Sequence, residues 1–200
     1  MNDAFGTSHR AHSSIVGVDL PRKAAGLLLK KELDYFGKAL EHPTRPLLVV
    51  LGGAKVSDKI QLITNILSVA DELIIGGAMA FTFLRVLHNM PLGDSKYDPE
   101  GAKLVPEIMR KAKERNVKIT LPVDFLCGDA FSGDCQQMSV SREEGIPEGW
   151  MGLDCGPETR ELNREAIQRA STIICNGPQG VFEMAPFAQG SQQLVHDIVR

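Results

Sequence analysis

Three apolar runs in this chain each end in a glycine turn: "VVLGGAK" from residue 49, "LIIGGAM" from residue 73 and "IICNGPQG" from residue 173. The runs are continuous rather than alternating. A strand with one solvated face alternates apolar and polar residues; a strand covered on both faces does not. Three such strands separated by helical patterns predict an α/β fold, an open parallel sheet with helices on both faces, Rossmann-like and doubly wound. In such sheets the ligand crevice lies outside the carboxyl ends of the strands. The three glycine turns therefore predict one continuous floor there. Without a Cβ, each lets a ligand approach the backbone.

The remaining elements follow from period and punctuation. "SIVGVDL" (residues 14–20) reads as a short strand, and Pro21 opens a helix over "RKAAGLLLKKELDYFGKAL" with Leu29, Leu33, Phe36 and Leu40 on one face. "PLLVVLGG", "ELIIGGAM", "VKITLPVDF" and "STIICNG" read as strands. "DKIQLITNILSVA", "AFTFLRVLHN", "ETRELNREAIQRA" and, from Pro186, "APFAQGSQQLVHDIVR" read as helices. "DPEGAKLVPEIMRKAKERN" is a further helix with Asp98 as N-cap, Pro99 at its first position, Asn116 at its C-terminal end, and a kink or restart at Pro106. Residues 127–157, rich in Gly, Ser and Pro, read as an irregular excursion.

The net charge of −3, with scattered Lys and Arg, carries no nucleic-acid footprint. No apolar run approaches the ~20 residues of a spanning helix, and no secretory leader is evident, so a cytoplasmic location is expected. The four cysteines form no C-x-x-C pair and read as reduced thiols, with Cys175 in a buried strand.

The floor's chemistry turns on "LGGAKVSDKI". Lys55 and Lys59 are four apart, so on a helix they would share one face above the Gly52–Gly53 turn. They are either solvated surface charges or a phosphate site. Backbone amides beside two lysines suit a transferring phosphoryl group, whose stabilisation is mostly positioning and positive charge. The stretch is not a Walker A loop, and no G-x-G-x-x-G marks a dinucleotide site, which sets a nicotinamide oxidoreductase aside. In "GTSHRAHSS", Arg10, beside His9, suits bidentate capture of a carboxylate or phosphate, or simply a surface loop. Glu183 suits a ribose hydroxyl, or an ordinary helix-start carboxylate. Phe131 and Leu153 suit the walls of a base pocket, or ordinary core.

"LGGAKVSDKI", "IIGGAMAFTFL", "ITLPVDF", "GWMGLDCGPET" and "NGPQGVFE", with "NDAFGTSHRAHSS" and "KKELDYFGKAL", resemble phosphoglycerate kinase in order and spacing along all 200 residues. The resemblance covers roughly the middle half of a family chain. It implies phosphoryl transfer between 1,3-bisphosphoglycerate and ADP, giving 3-phosphoglycerate and ATP with Mg²⁺ in glycolysis, by a monomer acting on small molecules. It implies that residues 1–20 are a remnant of the N-terminal substrate domain, 21–42 the interdomain helix and 43–200 part of the nucleotide-binding domain. It assigns His9 and Arg10 to phosphoglycerate, and Lys55 and Lys59 to catalysis at the phosphates. Asp58 falls near the metal. Gly53, Ala54, Gly77, Ala78, Phe131, Gly152, Leu153, Asn176, Gly177, Val181 and Phe182 fall in the nucleotide pocket, and Glu183 at the ribose. The family's N-terminal domain and its later glycine-rich segment have no counterpart here, so the chain alone is expected to be inactive. The alternative is a non-catalytic adenine-nucleotide binding fragment.

Overall fold

The computed structural model describes all residues, Met1–Arg200, in two compact units, Met1–Thr44 and Arg45–Arg200. In the first unit, α1 (Ser13–Val16) occupies the start of the expected strand. The β-branched pair Ile15–Val16 finds no neighbouring strand; both amides bond instead to the His12 carbonyl, at 2.9 Å each. The long helix α2 (Leu27–Glu41) begins six residues later than Pro21. The intervening chain is drawn into a parallel bridge between Asn2 and Ala25, with the Gly26 amide donating to the Asn2 carbonyl at 2.7 Å. Gly26 has no side chain with which to cap. Asp3, distant in sequence, does so by accepting the Leu29 amide at 2.9 Å. Phe5 stacks on Phe36 at 5.7 Å, while Leu27, Leu33 and Tyr35 stay exposed.

In the second unit the elements run β1 (Leu47–Leu51), a 3-10 turn (Ser57–Lys59), α3 (Ile60–Ile66), β2 (Glu72–Ile75), α4 (Met79–His88), α5 (Pro99–Glu114), β3 (Lys118–Thr120), β4 (Asp124–Gly128), β5 (Gln137–Ser141), β6 (Met151–Cys155), α6 (Pro157–Arg169), β7 (Thr172–Asn176) and α7 (Gln189–Ile198), with a second 3-10 turn (Ala185–Phe187) before α7. Strands β3, β2, β1 and β7 lie side by side in that order, all parallel. Side-chain parity explains their unbroken apolar runs. Leu47, Val49 and Leu51 point into a core with Ile63, Phe83, Val105 and Ile108. Leu48 and Val50 point the other way, into a core with Ala166, Ile167 and Leu194. Both faces are thus covered, as a doubly wound sheet requires. No helix is long and apolar enough to cross a membrane.

Further expectations are corrected here. "VKITLPVDF" is not one strand: Pro122, which has no amide to donate, lies between β3 of the parallel sheet and β4 of another. Residues 127–157 are not irregular. They carry β5 and β6, which flank β4 in an antiparallel sheet ordered β5-β4-β6. Phe125, Cys127, Val140 and Ile146 form its core with Phe81 and Leu84 of α4. The helix α5 is capped by Asp98 as expected, yet runs unbroken through Pro106, whose ring faces solvent. Asn116 takes the left-handed conformation just past its end.

The start of β2 is tied to the end of α6 by a two-pronged ion pair. Arg169 donates from Nε and Nη2 to the two Glu72 carboxylate oxygens at 3.0 and 2.8 Å. These hydrogen bonds hold the Glu72 carboxyl below its ordinary value of 4.5, against the opposing effect of burial. A depressed native pKa contributes stability that is complete above the unfolded value and lost as pH falls through the native one. Arg169 is partly solvated, so the pair is screened. Glu72→Gln is therefore expected to cost only about 1 kcal/mol at neutral pH. Urea unfolding of both proteins checks this: the gap between them should close as the pH is taken below about 4.

Candidate functional site

The ends of β1, β2 and β7 interlock through their glycines. Gly177 has φ +99°, and a Cβ there would lie 2.5 Å from the Gly52 carbonyl oxygen. Gly77 has φ +64°, and a Cβ would lie 2.8 Å from the Gly53 nitrogen and 3.0 Å from the Pro178 oxygen. Both positions combine a left-handed backbone with main-chain contact, which only glycine accommodates. Backbone bonds stitch the same turns: Gly52 N–H to Asn176 C=O at 2.9 Å, Gly76 N–H to Leu51 C=O at 2.8 Å and Met79 N–H to Gly53 C=O at 2.8 Å. This is the continuous floor expected from the sequence, and helix α4 starts from it.

Above the floor opens a cleft of about 330 Å³. Gly53, Ala54, Gly77 and Ala78 form its base. Phe131, Gly152 and Leu153 line the side made by the antiparallel sheet. Val181 and Glu183 reach it from the loop after β7. The Val181 amide donates to the Leu153 carbonyl at 2.8 Å and ties that loop to β6.

Several cleft residues were not singled out from the sequence as site residues; the family resemblance marks Lys96 only as standing where an apolar pocket residue is common. Asp94, Ser95 and Lys96 make one wall, held by the Asp94 amide on the Trp150 carbonyl (2.8 Å) and the Gly152 amide on Ser95 Oγ (2.9 Å). Phe81 and Phe125, 5.3 Å apart, back the cleft. Asp154 is buried at its edge, its two oxygens accepting the Gly190 and Cys155 amides at 2.8 and 2.9 Å. Burial raises its carboxyl, with those amides opposing. The second sheet supplies much of this wall, and reading residues 127–157 as irregular concealed it. Gln179 is buried beside Gly76 with neither amide atom hydrogen-bonded.

Asn176, Gly177, Phe182, Lys55, Asp58 and Lys59 lie outside the cleft lining. The two lysines do not share a helix face. Lys55 lies in the loop before the 3-10 turn, and Lys59 ends that turn. Val56, fully buried, pulls the chain into the core between them. Lys59 Nζ donates to the Gly52 carbonyl at 2.7 Å, Asn176 Oδ1 at 2.5 Å and the Asn176 carbonyl at 3.3 Å. Burial lowers its pKa and the nearby Cys175 opposes this. All three acceptors are neutral, so the ammonium is held at the floor without a carboxylate to cancel it.

Asp58 is exposed, and no group of three or more His, Cys, Asp or Glu side chains gathers as a metal cage. Cys175, expected to be buried, is exposed on β7, whose outer edge has no partner. Burial pushes the Cys127 and Cys155 thiols up to about 12, consistent with inert core residues. His9 and Arg10 are exposed in the first unit, with the Arg10 amide on the Thr7 carbonyl at 3.0 Å.

Residues 1–200 match the family model for phosphoglycerate kinase. The phosphoglycerate kinase of Kluyveromyces lactis is 61% identical over 199 residues, and that of Saccharomyces cerevisiae 58% over 200; each match covers the whole of this chain and 48% of the relative. The solved phosphoglycerate kinase of Coxiella burnetii, 37% identical, superposes with a TM-score of 0.89 over 98% of this chain and 50% of that one. The chain spans about half the length of the curated relatives it matches. With a match from end to end and glycine turns closing the strand ends of a doubly wound sheet, this chain belongs to the phosphoglycerate kinase family.

Proposed function

We propose that the chain supplies the nucleotide half of a phosphoglycerate kinase site. The observation that carries this reading is the interlocked glycine floor with the un-neutralised Lys59 beside an apolar-walled cleft. Adenosine of ADP or ATP occupies the cleft between Gly152–Leu153 and the Gly77–Ala78 start of α4, with Phe131 on one side and Glu183 accepting from the ribose hydroxyls. Gly53, Ala54, Val181 and Phe182 flank it. The phosphates run along the floor toward Lys55 and Lys59, past Asn176 and Gly177.

In the reaction a terminal oxygen of ADP attacks the acyl-phosphate phosphorus of 1,3-bisphosphoglycerate. The bond from phosphorus to the carboxyl oxygen breaks, leaving ATP and the carboxylate of 3-phosphoglycerate. The lysines offset the negative charge spread over the moving group. Mg²⁺ takes few protein ligands and keeps nucleotide phosphates and water around it. One carboxylate near the phosphates, Asp58, fits that habit; a protein cage is not required. His9 and Arg10 belong to the phosphoglycerate side. The expected setting is glycolysis in the cytoplasm, on small molecules, by a monomeric full-length enzyme.

A second reading, nucleotide binding without turnover, is favoured by one observation. The phosphoglycerate side is represented here by two exposed residues. Positioning both substrates supplies much of the rate in phosphoryl transfer. Mixed with Mg²⁺, ADP and 1,3-bisphosphoglycerate, the 200-residue chain is expected to form ATP at the background rate in a coupled assay. Turnover well above background would overturn that reading in favour of a self-sufficient catalyst.

Lys59→Ala tests the nucleotide site itself. It removes a charged donor from the phosphate end, a loss of ~1.5–3 kcal/mol, or roughly ten- to a hundredfold in ADP affinity. Calorimetric titration of both proteins decides the matter, and equal affinities would sink the assignment.

A further inference from the structure

Asp98 has more hydrogen-bonding capacity than a helix cap uses. Its Oδ1 accepts the Gly101 amide at 3.0 Å, the ordinary N-cap bond of α5. Its Oδ2 accepts the Ser57 amide at 2.8 Å, from the segment between Lys55 and Lys59. Its own amide donates to Thr82 Oγ1 on α4 at 3.1 Å. Asp98 and Thr82 are both buried, at 7% and 0% exposure.

The neighbouring packing points the same way. A Cβ on Gly101 would lie 2.6 Å from Val56 Cβ and 2.5 Å from Asp98 Oδ2. The missing side chain leaves a notch on the first turn of α5. Val56 fills it, and the Ser57 amide drops onto the carboxylate. From there the Lys59 amide bonds to the Val56 carbonyl at 3.0 Å. The same residues 94–98 that end in this clamp begin as the cleft wall at Asp94, Ser95 and Lys96.

We propose that Asp98 is a positioning residue that fixes the lysine-bearing loop, and so the phosphate end of the site, to the cleft wall. This rests on the reading of Lys55 and Lys59 as phosphate contacts. The residue type supports it. An N-cap needs one acceptor, and Asp, Asn or Ser provides it. Two amide donors arriving at two oxygens need a carboxylate, which accepts at both and donates at neither. Burial pushes the Asp98 carboxyl up, but the Ser57 and Gly101 amides together hold it below its ordinary value.

The distinction sets the test. Asp98→Asn keeps an oxygen for Gly101 and turns an NH₂ toward the Ser57 amide, donor against donor. Asp98→Ser keeps a cap but is too short to hold both amides. Nucleotide binding is followed by NMR titration of the 200-residue chain with ADP and, separately, with adenosine. Amide hydrogen exchange is followed over residues 55–59. Both variants should lose about tenfold in ADP affinity with adenosine affinity unchanged, and exchange at Ser57 should speed up by at least about tenfold. A residue that merely supports the fold would shift ADP and adenosine together. An unchanged ADP-to-adenosine ratio in either folded variant overturns the proposal.

Failure of the underlying reading looks different. If wild-type chain binds neither ligand, the nucleotide assignment falls, and exchange still decides the clamp. Faster exchange over residues 57–59 in the Asn or Ser variant upholds it; unchanged exchange overturns it.

Discussion

The carbonyl of Gly52 lying against Gly177 is the contact on which the rest of the second unit turns. It sets how closely β1 and β7 approach at their carboxyl ends, and that approach gives Lys59 oxygens from both strands at once. A side chain at Gly177 would meet Gly52 main chain at 2.5 Å. Backbone cannot swing aside as a flexible side chain can, so the strands would have to part. Lys59 would then lose either the Gly52 carbonyl or the Asn176 pair. Gln179 sits over Gly76 and lines the cleft, with no protein partner for its side-chain amide.

The cleft exists because a second sheet stands beside the first. Pro122 ends the pairing of the parallel sheet, and the chain leaves to build β4 two residues later. The two layers meet on α4. Phe81 packs 5.3 Å from Phe125 of β4, and a Cβ on Gly152 would lie 2.2 Å from Phe81 Cζ. Gly152 thus lets β6 close on the aromatic ring. Helix α4 touches the floor through the Met79 amide on the Gly53 carbonyl, the antiparallel core through Phe81 and Leu84, and the lysine-loop clamp through Thr82. Ten residues of one helix therefore hold the floor, wall and clamp in register.

What the sequence made legible was governed by short-range rules. Continuous apolar runs announced strands covered on both faces, because parity along β1 sends Leu47, Val49 and Leu51 into one core and Leu48 and Val50 into the other. Asp98 announced a helix start, and the glycine pairs announced the floor. What stayed hidden depended on partners far away in the chain. The start of α2 is set by Asp3 and Asn2, which no periodicity encodes. "SIVGVDL" has strand-like residues and no strand beside it. The alternation of Met138 and Val140 in β5 is a real period-2 signal, but surrounding Gly and Ser made it read as loop. The lysine pair misled for a similar reason. Spacing of four places residues on one face only where the chain is helical, and here the 3-10 turn begins at Ser57, after Lys55.

The electrostatics of the floor follow from the choice of acceptor. Had Lys59 met a carboxylate, it would have been better satisfied and its field cancelled. Carbonyl and amide oxygens orient the ammonium through partial charges while leaving its net charge in place. Desolvation then acts in two directions. It lowers the pKa of Lys59, a cost to the charged form, and it reduces the screening between that charge and any anion brought to the floor. The start of α4, ten residues long, adds the partial positive end of its dipole next to Gly77. Asp98 is the buried anion of this region, its two oxygens engaged by the Ser57 and Gly101 amides, while Asp58 is exposed on the loop itself. The buried carboxylate holds the loop through its backbone amides, and the half-buried ammonium of Lys59 meets only neutral oxygens at the strand ends.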